Sequence, residues 1–119
     1  MRAKILNASA GSGKTYQLAY KYVRDVIDQP LLYRHILAVT FTNKATEEMK
    51  SRILKEIHTL ASGAPSPYLT QLCSELRLDE RSVRRRAAEV RSKILHDYSR
   101  FTVLTIDTFF QRILRAFIK

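Results

Sequence analysis

Two kinds of segment alternate along the first sixty residues. Ile5-Leu6 within residues 3–7 and the run Ile36-Leu37-Ala38-Val39-Thr40-Phe41 are short, continuous and apolar, the pattern of parallel strands covered on both faces. Between and after them the apolar positions step by three and four. Leu18, Ala19, Tyr22, Val23, Val26 and Ile27 predict a helix over about 13–28, and Ala45, Met49, Ile53, Ile57 and Leu60 predict another over 44–60. Strand, helix, strand, helix is the order of an α/β fold with a parallel sheet and right-handed crossovers.

The pattern then changes. Residues 61–67 are Ala, Ser, Gly and Pro only, a loop by composition. They open a helical insertion over about 61–99, with a short helix over 68–78 and a second helix behind Asp79 as its N-cap. Val83, Ala87, Val90 and Ile94 give that second helix a narrow apolar stripe. Residues 100–106 return to strand character. Asp107 or Thr108 is then expected to cap a closing helix whose apolar face is Phe109, Phe110, Ile113, Leu114 and Phe117. That helix is barely three turns long at Lys119, so the chain is expected to continue in the natural protein.

Composition narrows the class. At 119 residues, with 45% hydrophobic and 27% charged positions, the chain reads as one soluble domain over 1–119. No apolar run approaches the ~20 residues of a membrane span and no signal peptide opens the chain, so a cytoplasmic protein without a membrane partner is expected. The single Cys73 reads as a buried helical thiol in a reducing compartment, since no histidine is near it. His35, His58 and His96 have no paired ligand spacing, which argues against a zinc site. Charge adds a direction. Lys and Arg number 21 against 11 Asp and Glu, a formal +10, which favours polyanionic partners. Between residues 81 and 100, seven basic residues stand against Glu89 and Asp97. There Arg81, Arg84, Arg85, Arg86, Arg91 and Lys93 form either a solvated helical face or a contact to nucleic-acid phosphates, and both readings stay open.

The candidate chemistry lies between the first strand and the first helix, in Ala8-Ser9-Ala10-Gly11-Ser12-Gly13-Lys14-Thr15. Successive backbone N–H groups in a tight loop that opens a helix converge on one point, where the helix dipole also favours negative charge. Gly11 and Gly13 let the backbone curl close to a polyphosphate. Lys14 would set its ammonium on the β and γ phosphates, and the Thr15 hydroxyl would join the shell of a magnesium ion. Ala8 stands where the usual pattern has its first glycine. A turn that merely caps the helix is the plain alternative. In a parallel sheet, ligands sit at the carboxyl ends of the strands, so Phe41, Thr42, Asn43 and Lys44 should emerge on the same rim as the loop. A small P-loop phosphotransferase, with Asp107 orienting magnesium at the end of an apolar run, fits the local pattern as an alternative. A nucleic-acid-binding module with a vestigial nucleotide site is another.

Three stretches together carry a family resemblance. They are the loop at 8–15, Ile36-Leu37-Ala38-Val39-Thr40-Phe41-Thr42-Asn43-Lys44-Ala45-Thr46-Glu47-Glu48-Met49, and Leu104-Thr105-Ile106-Asp107-Thr108-Phe109-Phe110. In order and spacing they resemble the UvrD/Rep family of superfamily 1 DNA helicases, and the form of the loop and the helical insertion are similar to its AddA/RecB helicase-nuclease branch. The resemblance implies an incomplete RecA-like P-loop NTPase sheet, the N-terminal part of a motor domain acting in DNA repair or recombination. It implies ATP and magnesium as cofactors, bound through Ala8, Ser9, Ala10, Gly11, Ser12, Gly13, Lys14, Thr15 and Tyr16, with Lys14 and Thr15 catalytic. Single-stranded or duplex-end DNA would meet Thr40, Phe41, Thr42, Asn43, Lys44, Thr105, Thr108 and Phe109, by stacking and phosphate contacts that do not read sequence. Core packing is the plain reading of Phe41 and Phe109. The other implied partners are the remainder of the helicase chain and a nuclease subunit.

The sequence departs from the family in three ways. Many relatives have His where Asp107 stands, and an acidic side chain does not assist phosphate binding. Seven residues precede Ala8, too few for the family's adenine-binding Gln, which leaves Tyr16 or Gln17 to meet the base. No Asp-Glu pair at the end of a strand is present to hold magnesium through water, and the arginine and second motor domain that would close on ATP are absent as well. The segment by itself is therefore expected to bind ATP weakly and to hydrolyse essentially none.

Overall fold

The structure, a computed structural model, describes residues 4–7, 12–34, 36–40 and 42–117; within these it leaves the side chains of residues 4–7, 12–15, 34, 36, 37 and 100 undescribed. The elements in chain order are β1 (Lys4–Asn7), α1 (Ser12–Asp28), a 3-10 turn (Pro30–Arg34), β2 (Ile36–Thr40), α2 (Asn43–Ser62), α3 (Leu69–Leu76), α4 (Glu80–His96), a second 3-10 turn (Tyr98–Arg100), β3 (Thr102–Thr105) and α5 (Ile106–Phe117). Helices dominate, and the three short strands form one small sheet in the order β1-β2-β3. Both pairings are parallel: Lys4 lies opposite Ile36 and Asn7 opposite Val39, while Leu37 lies opposite Thr102 and Thr40 opposite Thr105.

Local chemistry sets the helix ends. The Thr42 hydroxyl accepts from the Ala45 N–H at 3.0 Å and starts α2. Gly63, at φ 85°, stops it; its N–H donates to the Leu60 carbonyl at 3.4 Å and the Ala64 N–H to the Thr59 carbonyl at 3.1 Å, the paired bonds of a Schellman motif. Asp79 caps α4 as expected, accepting from the Ser82 N–H at 2.9 Å. Hydrogen bonding from Ser82 also holds its carboxyl below the usual carboxylate range.

The core lies where α1, α2 and α4 meet. Tyr22, Val23, Val26 and Ile27 come from α1, Met49, Ile53, Ile57 and Leu60 from α2, and Val83, Ala87, Val90 and Ile94 from α4, all buried. Tyr68 and Leu72 close it from the inserted segment, and Phe101 and Val103 from the sheet side. The insertion is thus no appendage, since one of the three helical faces that make the core belongs to it. The Tyr22 hydroxyl is the one buried polar side-chain atom among the described residues with no hydrogen-bond partner, and burial raises its pKa.

Three expectations need correction. The third strand and closing helix meet earlier than 106–108, because Thr105, not Asp107 or Thr108, caps α5: the Thr108 N–H donates to the Thr105 hydroxyl at 3.3 Å. No residue of α5 is buried; Phe110, Leu114 and Phe117 are 56%, 55% and 83% exposed, so its apolar face is not part of this core. Cys73 is half-buried instead of buried, with its thiol pKa raised chiefly by desolvation.

Candidate nucleotide and nucleic-acid rim

Because all three strands run the same way, their last residues, Asn7, Thr40 and Thr105, share one rim of the sheet. The segments that leave β1, β2 and β3 therefore leave it on that rim. Ala8, Ser9, Ala10, Gly11 and Phe41 lie outside the described residues. Ser12, Gly13, Lys14 and Thr15 form the first turn of α1, their side chains undescribed. That first turn carries no acidic residue, so an anion arriving at the N-terminus of α1 meets the helix dipole without carboxylate repulsion from its own helix. In that respect the surroundings suit a polyphosphate with its magnesium.

The second segment is firmly supported from below. Thr40 is 1% exposed. Its hydroxyl lies 2.6 Å from that of Thr46, 3.3 Å from the Thr42 carbonyl and 3.4 Å from the Leu104 carbonyl. Thr46 in turn donates its hydroxyl to the Thr42 carbonyl at 3.0 Å. A side chain so enclosed ties β2, β3 and the start of α2 together; its burial takes it off the surface that a DNA strand could touch. Thr42, Asn43 and Lys44 remain exposed on the rim.

The third segment is built on Thr105 and Thr108, whose hydroxyls lie 3.0 Å apart and are half-buried. Phe109 is half-buried beside Phe110, ring centroids 6.4 Å apart. Asp107 is exposed in the first turn of α5, where a carboxylate suits the helix dipole.

Tyr16 is half-buried where α1 meets the insertion. Its ring meets that of Tyr68 edge-on at 5.0 Å, and the Arg52 guanidinium carbon lies 5.6 Å from its centroid. Of the two residues expected to meet a base, Gln17 is the exposed one. Two of the arginines read from the sequence as a solvated face or a phosphate contact instead hold α1 and α2 to the insertion. Arg86 donates to the Ile27 and Asp28 carbonyls at 3.3 and 3.0 Å, and Arg84 to the Leu60 and Ala64 carbonyls at 3.1 and 3.0 Å. Two of the insertion's arginines therefore cap the C-termini of α1 and α2. No spacing in the sequence marks them, because their partners are main-chain oxygens 20 to 59 residues away.

The chain is thus mostly helical around a small parallel sheet whose strands end on one rim, the side on which Gly13-Lys14-Thr15 opens α1. The chain belongs to the UvrD/REP helicase N-terminal domain family, whose model matches residues 2–119. Among curated relatives, RecBCD enzyme subunit RecB of Escherichia coli (strain K12) is 31% identical over 119 residues, covering 93% of this chain and 10% of the relative. The corresponding RecB protein of Haemophilus influenzae is 35% identical over 105 residues, covering 71% and 9%. An ATP-dependent helicase/nuclease of Exiguobacterium sibiricum is 43% identical over 63 residues, covering 51% and 5%. The chain thus spans about a tenth or less of the length of these relatives. No solved structure matches it.

Proposed function

We propose that this chain is the first segment of an ATP-dependent DNA helicase motor, of the RecA-like P-loop class, acting on single-stranded or duplex-end DNA in repair or recombination in the cytoplasm. The observation that carries the reading is the shared rim: Gly13-Lys14-Thr15 begins α1 behind β1, on the side of the sheet where β2 and β3 also end. Family membership supports the helicase over the phosphotransferase alternative built on Asp107. ATP is held by Ala8, Ser9, Ala10, Gly11, Ser12, Gly13, Lys14 and Thr15, and Thr15 contributes to the magnesium shell. Magnesium supplies charge neutralisation on the phosphates, while Lys14 orients and neutralises the outer two. DNA lies across Phe41, Thr42, Asn43, Lys44, Thr108 and Phe109, with Thr40 and Thr105 holding the rim in shape from beneath. The remainder of the helicase chain completes the motor, and a nuclease partner fits the names of the relatives.

The test is nucleotide and strand binding by the full-length protein. Lys14→Ala is expected to lower affinity for ATP at least tenfold, since about 1.4 kcal/mol corresponds to a factor of ten and a charge-assisted contact to phosphate exceeds that. Unchanged ATP affinity in Lys14→Ala would remove the nucleotide site. Failure to bind oligo-dT at low salt would remove the strand site.

A further inference from the structure

Behind the rim, described side chains join the helix that begins with Gly13-Lys14-Thr15 to the helix that begins behind Thr42. Arg52 of α2 lies against the ring of Tyr16, the residue next to Thr15. The Tyr68 hydroxyl donates to the Tyr16 carbonyl at 3.0 Å, and its ring stands edge-on to both Tyr16 and Tyr20, at 5.0 and 5.2 Å. The Tyr68 N–H donates to the Ser66 hydroxyl at 3.1 Å, which itself donates to Glu56 of α2 at 3.0 Å. Glu56 sits four residues after Arg52, on a nearby face of the same helix. Arg52 directly, and Tyr68 by way of Ser66 and Glu56, therefore connect the first turns of α1 to the middle of α2, and Arg52 also reaches the Tyr68 side chain.

These contacts are not what burial alone would produce. Glu56 is 5% exposed and lies among the apolar residues of α2, where an unpaired carboxylate would be costly. Tyr68 has no exposed surface, yet its hydroxyl is spent on a main-chain oxygen that a helix already supplies with its own N–H donor. Both α1 and α2 start at the rim, so a rotation or shift of either one moves Tyr16 against Arg52 and Tyr68. Packed helices pass such shifts on as rigid bodies.

We propose that Arg52 and Tyr68 are positioning residues that couple occupancy of the phosphate loop to occupancy of the Thr42–Lys44 rim, through their joint grip on Tyr16. The inference rests on the nucleotide and DNA reading of that rim. Coupling is a ratio of affinities and is reciprocal, so it is measured without catalysis.

In the full-length protein, affinity for a non-hydrolysable ATP analogue is measured with and without saturating oligo-dT. A wild-type ratio of about tenfold is expected, within the usual range for coupled sites. Tyr68→Phe keeps the ring packing and removes only the hydroxyl bond; Arg52→Gln removes the cation; Arg52→Lys keeps a cation over the ring. Arg52→Gln and Tyr68→Phe should each bind analogue alone and oligo-dT alone within about twofold of wild type, while the ratio falls to about threefold or less. Arg52→Lys should restore most of it. A purely structural role would weaken both affinities and leave the ratio at its wild-type value, and that result overturns the proposal. A wild-type protein that binds both ligands without linkage also overturns it while leaving the site reading intact. A wild-type protein that binds neither ligand removes the site reading and the coupling together.

Discussion

Arg84 illustrates how much one side chain of α4 holds together. Its Nη1 donates to the carbonyls of Leu60 and Ala64 at the end of α2, and its Nε to Glu80 one turn earlier in its own helix at 3.0 Å. Bonds from a charged donor to helix-terminal oxygens contribute more than neutral ones, so Arg84→Ala is expected to cost about 1–2 kcal/mol in urea denaturation. The exposed Arg81 should cost under about 0.5 kcal/mol by the same measurement. At Gly63 the expected loss has a different origin. A Cβ there would meet nothing within 4 Å, but φ is +85°, so Gly63→Ala should destabilise by about 1 kcal/mol from backbone strain alone. The glycine at the end of a helical run is legible as a stop signal, whereas the arginine caps are not, since identical-looking residues at 81, 84, 85 and 86 have different fates set by tertiary packing. Tyr68 adds a pH signature. Burial first, then the neighbouring Glu56 carboxylate, push its hydroxyl from 10.0 up to about 12. The unfolded chain ionises first, so the contribution is whole below pH 10 and is lost as pH rises towards 12. Stability measured across that window should fall less steeply in Tyr68→Phe than in wild type.

At the scale of elements, the helices differ in what their apolar faces do. The stripe on α2 is packed against α4 and α1, and Ile53 at its centre is fully buried. Ile53→Ala should therefore cost about 2–5 kcal/mol. Phe110 of α5, more than half exposed, should cost under about 0.5 kcal/mol on Phe110→Ser, although the sequence pattern of α5 is as amphipathic as that of any helix here. Equal losses in the two variants, by thermal or urea unfolding, would contradict the burial seen in this structure. Periodicity makes α1 and α2 readable to within two residues at each end, and α4 at its start, because their stripes and caps agree with one another. It does not say which stripe finds a partner, and it misplaces the start of α5 because the Thr105 hydroxyl captures the Thr108 N–H from the last strand residue. The third strand is shorter than its sequence suggests for a related reason: Tyr98–Arg100 coils into a 3-10 turn that brings Phe101 against Tyr22, ring centroids 5.6 Å apart.

The whole molecule carries a formal +10, and where that charge meets DNA separates the two readings of the insertion. Arg84 and Arg86 are occupied with main-chain oxygens, and Arg91 lies 3.1 Å from the Nδ1 of His58, leaving Arg81 and Arg85 as the exposed arginines of α4. The rim offers Lys44 beside Thr42 and Asn43, all exposed. Each phosphate neutralised on a single strand adds about 0.7 to the slope of log affinity against log salt. If the strand lies on the rim, Lys44→Ala in the full-length protein should lower that slope for oligo-dT by about 0.7, while the Arg81→Ala, Arg85→Ala pair leaves it unchanged. If duplex replaces oligo-dT and the arginine pair then lowers the slope by about twice 0.9, the exposed face of α4 holds a duplex arm as well. A slope insensitive to Lys44 and lowered by the arginine pair for oligo-dT itself would move the single strand off the sheet rim and onto the insertion, and the shared ends of three parallel strands would then serve the nucleotide alone.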